Sequence, residues 1–324
     1  MKEQDIRDLD VFRKYLELSR QDADRIFSDK STFETIACPA CDSAGHEPEI
    51  QKHGFTYVRC TQCETLFVNP RPGIADLQRF YGDSVSTTYW VNEFFKPKAE
   101  NRRQLMFRPR AELIASRFAG SSRGRIAEIG AGFGIFLEEL RKLWPEAKAI
   151  AIEPSSEMAK ICTEKGLRVL EKMFEDVSES ESGFDLLVTF ELIEHLQNPF
   201  AFFSKARRCL RPGGSLFFTT LSGFGFDIQN LWEGSKSVSP PHHLNFFNPK
   251  SVALLLRRCG FPQVDVTTPG RLDWNIVENS IAEGRDPGRF WRTFARNAEE
   301  PAKAELQTWL QRHGWSSHMQ VIAS

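Results

Sequence analysis

Between Arg125 and Leu221 the spacing of hydrophobic positions changes repeatedly, and each change marks an element. Ile126, Ala127 and Ile129 form a short β-favouring run that stops at Gly130, Gly132 and Gly134. Ile135, Phe136, Leu137, Leu140 and Trp144 then recur at helical spacing until Pro145. Ala147 to Ile152 predicts a second strand ending at Glu153. Pro154-Ser155 opens a helix through Met158, Ile161 and Cys162 to Gly166, and Leu167 to Leu170 predicts a third strand. Phe184 to Phe190, FDLLVTF, is almost continuously apolar, as a strand covered on both faces must be. Pro199 starts a helix with Phe202, Phe203, Ala206 and Leu210 on one face. Arg211-Pro212-Gly213-Gly214 stops it before a fifth strand, Ser215 to Leu221. This alternation predicts an α/β fold built on a parallel sheet with right-handed crossovers.

The flanks are patterned differently. Ile6, Leu9, Phe12, Leu16, Ile26 and Phe27 give residues 5 to 27 one apolar face, an amphipathic helix that packs on its own chain or binds a partner. Leu66 to Val68 is a short strand running into Asn69-Pro70-Arg71-Pro72, and Tyr81, Tyr89 and Trp90 follow as core between domains or as part of a substrate wall. Ser222 to Pro241 is rich in Gly and Ser and reads as a loop or lid with exposed Phe224, Phe226 and Trp232. Asn248 caps and Pro249 starts a helix to Gly260, Val264 to Thr267 predicts a sixth strand, and Arg285 to Gln311 is helical through Phe290, Phe294, Leu306 and Leu310.

Composition narrows the function. With 41% hydrophobic residues and 27 Phe in 324 residues, a large core can be buried. Lys+Arg 42 against Asp+Glu 43, a net charge of −1, lacks the basic excess of a nucleic-acid protein and demotes that partner. The N-terminus, MKEQDIRDLD, has no apolar h-region, and no apolar run approaches the roughly 18 residues of a membrane span, so the reading is a cytoplasmic protein without membrane insertion. Seven cysteines there are thiols or metal ligands before they are disulfides.

Four of them carry chemistry. Cys38-x-x-Cys41 and Cys60-x-x-Cys63, separated by eighteen residues, have the spacing of a zinc ribbon. Four thiolates close a tetrahedral site and leave no position for water, so a structural Zn2+ is expected, with His46 and His53 not needed as ligands. Arg102, Arg103, Arg108 and Arg110 form a run that reads as a solvated helix face, with phosphate contact as the sharper alternative. The glycines of Gly130-x-Gly132-x-Gly134 let the backbone turn sharply and keep side chains off a ligand, while the helix that follows offers free N–H groups. Glu128 sits two residues before the first glycine. Glu153 lies about twenty residues on, where a ribose-binding acid belongs.

This segment, E-I-G-A-G-F-G followed by Glu153, resembles the cofactor-binding core of the class I S-adenosylmethionine (SAM) methyltransferases. The resemblance implies a Rossmann-like seven-stranded sheet, with His318 to Ala323 as its antiparallel seventh strand and residues 270–313 as a helical insertion over the substrate. It implies that Glu128, Gly130, Gly132, Gly134 and Glu153 line the SAM pocket, and that Glu175 or Asp176 accepts from the adenine amino group. Glu191-Leu-Ile-Glu194-His195-Leu196 is similar to the family's E-x-x-E-H-L segment beside the methyl group. It places Glu191 on the cofactor side, makes Glu194 mainly architectural and leaves His195 as a second candidate base.

The cysteine ribbon followed by N-P-R-P and F-Y resembles the N-terminal modules of bacterial methyltransferases acting on nucleotide-linked sugars or other small metabolites. Pro241-His242-His243-Leu-Asn-Phe resembles an E-H-x-x-Y/F segment of sugar C-methyltransferases whose histidine is the general base. His243 matches that histidine, while His242 stands in place of the Glu. The expected organisation is an N-terminal helix (1–34), a zinc ribbon (35–72), a linker on the substrate side (73–109) and a SAM-binding domain (110–324). The expected reaction is methyl transfer to a small polar acceptor, such as a nucleotide-linked sugar or polysaccharide precursor. RNA methylation and a non-catalytic SAM-binding role are the alternatives, and the glycine spacing disfavours a nicotinamide enzyme.

Overall fold

A computed structural model describes residues 1–120 and 124–324. Its strands in chain order are β1 (His46–Lys52), β2 (Phe55–Cys60), β3 (Leu66–Val68), β4 (Arg125–Ile129), β5 (Lys148–Ile152), β6 (Arg168–Leu170), β7 (Phe184–Phe190), β8 (Leu210–Leu221), β9 (Asn245–Phe246), β10 (Val264–Thr267) and β11 (His318–Ala323). Seven of these form one sheet in the order β10-β11-β8-β7-β4-β5-β6. The ladders β8-β7-β4-β5-β6 are parallel, and β11 runs antiparallel to both β8 and β10.

The central strand β4 shows why the sheet needs two helical layers. Its side chains alternate in direction, and both faces are apolar. Ile126 packs with Ile114, Phe136, Leu137, Leu140 and Cys162 from the helices Arg108–Phe118, Ile135–Leu143 and Ser156–Glu164. Ala127 and Ile129 pack on the opposite side with Phe202, Phe203, Val252 and Leu255 from Pro199–Cys209 and Pro249–Arg258. The parallel strands therefore end along one edge, which carries Gly130, Glu153 and Glu191. Because β11 is antiparallel, it begins there, with His318 opposite Leu221.

The cysteine segment forms a second, four-stranded sheet, β1-β2-β3-β9, whose last strand comes from the α/β part of the chain, after β8. Leu66 and Phe67 pair with Phe246 and Asn245, directly after the histidine pair. Val58, Cys60 and Phe67 belong to the same core as Ala127 and Ile129. The ribbon is thus built onto the α/β domain, with a strand borrowed from it.

Arg71, from the N-P-R-P turn, is the clamp at this joint. Its fully buried guanidinium donates to the carbonyls of Val68 (3.3 Å) and Gln197 (2.8 Å) and to Oδ1 of Asn245 (3.0 Å). No carboxylate pairs with it among the described residues, and burial lowers its pKa to about 9. Truncation would leave three acceptors dry in the core. Arg71→Ala is expected to cost about 3 kcal/mol of stability, read as a lower urea midpoint at unchanged slope. A loss below about 1 kcal/mol would mean that water replaces the clamp.

The N-terminal helix, Leu9–Ile26, packs on its own chain: Ala23 and Ile26 lie with Phe55, Leu66 and Phe80. From Val85 to Phe118 the chain is helical, with two π-helical segments, Trp90–Phe95 and Arg103–Phe107. Each wide turn rotates the side chains that follow it and so changes which face looks inward. The Ser222–Pro241 segment contains a helix, Phe226–Leu231, and Phe226 is buried against Trp274 and Trp291 of the C-terminal insertion rather than exposed. That insertion, between β10 and β11, comprises the helices Asp273–Ala282, Arg289–Asn297 and Glu300–Arg312.

Candidate active site

A cavity of about 830 Å³ opens at the edge where the parallel strands end, between the N-terminal helix and the insertion. A ligand pocket is usually about 300 to 1,000 Å³, so this cavity stands near the upper end of that range. Gly130 and Gly132 form one wall. Both have positive φ (70° and 54°), and a Cβ placed on Gly132 would meet nothing within 4 Å, so it would project into the space a ligand needs. Gly134 has a different duty. A Cβ there would lie 2.5 Å from Leu167 and 2.9 Å from Cys162, so it permits close helix packing and does not line the cavity.

Glu128 is buried at the cavity wall, and its Oε2 has no hydrogen-bond partner. Burial pushes its carboxyl well above the ordinary range, opposed by Arg110 and reinforced by Glu153. An ammonium group arriving at Oε2 would supply the missing partner. Glu153 sits behind the loop. It accepts from the N–H groups of Gly132 (2.8 Å) and Ser155 (2.9 Å), so here it shapes the loop and is not part of the cavity lining. The structure does not bring Glu175 or Asp176 to the cavity: Phe174 is the side chain turned into the core, against Phe202, and the two acids that follow are exposed.

Glu191, at the end of β7, holds a left-handed backbone (φ 52°), an uncommon conformation for a residue with a side chain and one often kept at functional sites. Its carboxylate accepts from Thr219 (2.6 Å) and Arg110 (2.9 Å) and lies 3.4 Å from Nε2 of His318. Burial works to raise the Glu191 pKa, but His318, Arg110 and Thr219 together hold it well below the carboxylate range. Burial likewise works to lower His318, and Glu191 outweighs it, raising the imidazole.

Glu194, His195 and His243 converge: one ligand atom from each lies within 4.8 Å of the other two. The His195 and His243 rings are 4.9 Å apart, and the Tyr81 hydroxyl lies 3.3 Å from His195 Nδ1. His242 packs behind them, against Phe80, with Nε2 3.1 Å from the Tyr15 hydroxyl. The main chain locks the two segments together, Leu244 N donating to the Glu194 carbonyl (2.7 Å). Burial lowers all three imidazoles, His242 to about 3. His243 Nδ1 lies 2.5 Å from the Ser237 carbonyl, so that nitrogen carries the proton and Nε2 keeps its lone pair.

Glu194 takes a hydrogen bond from Thr220 (2.8 Å), and burial, then Glu191, raises its pKa from 4.5 to about 8. The folded state then binds a proton that the unfolded state has lost. Stability from this group is complete below about pH 4.5 and is lost as pH rises to about 8. A thermal-melt series from pH 5 to 9 should show this decline in the wild type and a flatter course in Glu194→Gln. Parallel curves would mean that Glu194 is ionised throughout.

Several lining residues were not anticipated. The arginine run is not a solvated face: Arg102 and Arg110 line the cavity, joined by Arg7, while Arg103 and Arg108 pair with Glu139. Tyr15 and His318 also line it, together with Tyr81, one of the aromatics expected as core or substrate wall. The interleaving of Phe95 and Phe107 with the arginines was the available signal, and for His318 it was the antiparallel direction of the last strand.

Fold and site together define a SAM-dependent methyltransferase. A sequence family described as a methyltransferase domain matches residues 99–266, and the chain belongs to that family. An uncharacterized protein of Methanocaldococcus jannaschii is 29% identical over 170 residues, covering 52% of this chain and 80% of its own. A ubiquinone biosynthesis O-methyltransferase of Xanthomonas axonopodis pv. citri is 26% identical over 171 residues, covering 49% and 70%. Among solved structures, a SAM-dependent methyltransferase of Thermotoga maritima aligns with a TM-score of 0.45 at 21% identity, over 70% of this chain and 94% of that one. The plantazolicin methyltransferase BpumL with S-adenosylhomocysteine (SAH) gives 0.49 at 12%, over 76% and 93%.

Proposed function

We propose that the chain transfers a methyl group from SAM to a small polar acceptor bound between the glycine loop and the histidine cluster, with His243 as general base. The observation that carries this reading is the two-ended cavity. At one end are Gly130, Gly132 and the partnerless Glu128 oxygen; at the other is a neutral imidazole whose tautomer leaves Nε2 able to take a proton. The fit to SAM rests on the same atoms: Glu128 offers its carboxylate to the amino group, and the glycines leave room for the chain of the methionine, on a loop that Glu153 holds from behind.

When bound, SAM would supply an electrophilic methyl group on its sulfonium, with SAH as the leaving group when the acceptor attacks in line. The residues here do the rest. Glu191, held by Arg110, Thr219 and His318, fixes the turn after β7. Tyr81 and His195 shape the acceptor side, and His243 Nε2 takes the acceptor proton as its bond to the methyl forms. The relatives named for ubiquinone biosynthesis favour an oxygen acceptor, while the ribbon's resemblance favours a nucleotide-linked sugar. The four cysteines would hold a structural zinc. Among the described residues no helix is long and apolar enough to cross a membrane.

The direct test is conversion of SAM to SAH by zinc-loaded protein offered nucleotide-linked sugars, small phenols and acids, and bulk RNA in parallel. Turnover confined to one small-molecule class supports the proposal and chooses the acceptor. Turnover on RNA alone, or SAM binding without turnover on any class, overturns it.

A further inference from the structure

The cavity carries more positive charge than its own carboxylates neutralise. Arg110 is matched by Glu191, Lys236 by Glu283 (2.6 Å), and Arg7 lies 3.5 Å from Glu3. Arg102 has no carboxylate partner among the described residues. Its guanidinium lies 4.8 Å from the centre of the Phe95 ring, and its Nε is buried without a hydrogen bond, as is the Nε of Arg7. A ring face attracts the charge but cannot satisfy the N–H groups. The remaining carboxylates do not help. Glu128 and Glu194 are pushed towards neutrality by burial, and Glu191 is committed to Arg110, Thr219 and His318. Burial, with Arg7 and Arg110 adding repulsion, lowers Arg102 to about 10.

Cofactor binding deepens the imbalance. SAM carries a sulfonium, an ammonium and one carboxylate, so beyond the ammonium that Glu128 would match it brings a sulfonium and at most one group for a guanidinium. An unmatched guanidinium, Arg102, beside a second one, Arg7, whose Nε is still unbonded, is suited to a planar or tetrahedral oxyanion, which forked donors grip in a bidentate way. Both belong to the N-terminal wall: Arg7 lies between the helices Glu3–Ile6 and Leu9–Ile26, and Arg102 ends the helix Lys96–Arg102 just before the second π-helical segment. Arg7 also feels Asp227, of the helix Phe226–Leu231, and Glu191.

We propose that Arg102 and Arg7 form an anion subsite for the acceptor, which therefore carries an oxyanion, phosphoryl or carboxylate, apart from the atom that is methylated. The proposal rests on the methyltransferase reading of the same cavity. It also explains why a chain of net charge −1 gathers arginines at one place without belonging to nucleic acid: the subsite lies inside a cavity walled by the N-terminal helices.

The test uses the full-length protein saturated with SAH at low salt, titrated with inorganic pyrophosphate and, separately, with glutarate. At least one probe should bind with SAH in place, more weakly as salt rises. The probe that binds more tightly assigns phosphoryl or carboxylate chemistry. Arg102→Gln and Arg7→Gln should each weaken that binding tenfold or more while SAH affinity stays within twofold, and Arg102→Lys should recover part of it. Neither probe binding to SAH-loaded wild type would overturn the proposal, and this arm is untouched by any folding defect in a variant. Variants that lose SAH affinity instead would assign the arginines to the cofactor's carboxylate and overturn it as well, as would binding of RNA oligomers alone. Wild type that fails to bind SAH would remove the underlying methyltransferase reading, a failure distinct from the other three.

Discussion

His243→Ala is expected to lower kcat by about 10²- to 10⁴-fold, the range by which a positioned general base accelerates a proton transfer, with SAH affinity and melting temperature close to wild type. The argument is local. The Ser237 carbonyl, 2.5 Å from Nδ1, fixes the tautomer, and burial keeps the ring neutral by lowering its pKa below the ordinary 6.5. A base works only in its neutral form, so activity should be level across neutral pH and fall only as pH drops through that lowered value. His195, lowered further by burial and by the two neighbouring imidazoles, should contribute less, mainly by placing the acceptor. Near-normal turnover in His243→Ala with an unchanged pH profile would remove it from the reaction. A profile that instead follows His318, which Glu191 raises, would move the base to the other histidine at this edge.

The parts of this site that could be read from the sequence are those in which local pattern and tertiary placement agree. The β-strand, glycine loop and helix from Arg125 to Leu143 are specified by residues adjacent in the chain, and β7 announces itself by being apolar on both faces. The order of the sheet follows from alternation, and the last strand pairs from His318 to Ala323, the residues expected for it. What escaped was set by distant partners. Asn245–Phe246 is too short to read as a strand and is one only because β3 lies beside it. The arginines turn inward through two π-helical segments, which carry no clear sequence signature. Phe226 reads as exposed because its cover, Trp274 and Trp291, lies about fifty and sixty-five residues on, and Glu175 and Asp176 follow a phenylalanine that takes the inward position itself.

Removing the proposed zinc, by a strong chelator or by Cys60→Ser, is expected to lower the melting temperature by about 10 °C or more and to reduce kcat more than tenfold while SAM affinity changes little. A structural site of this type contributes roughly 10 kcal/mol to an isolated finger, and a loss of about 7 kcal/mol moves the midpoint of a chain this size by about that much. The geometry suits the ion: Sγ of Cys38 lies 3.5 Å from Cys63 and that of Cys41 3.4 Å from Cys60, close to the edge of about 3.8 Å that a tetrahedron with Zn–S bonds of about 2.3 Å requires. The effect on turnover follows from how the ribbon is tied to the histidines. Asn248 Nδ2 donates to the Cys63 carbonyl (2.8 Å), the Tyr57 hydroxyl donates to the His243 carbonyl (2.6 Å), and Val68 N donates to the Leu244 carbonyl (2.9 Å). Loosening the ribbon therefore frees the backbone of His243, while the glycine loop, anchored on β4 and Glu153, stays in place. Metal analysis near one zinc per chain with loss of kcat on its removal would support this chain of contacts. Zinc-free protein with the same melting temperature and turnover would instead make the four cysteines packed thiols and the ribbon self-supporting.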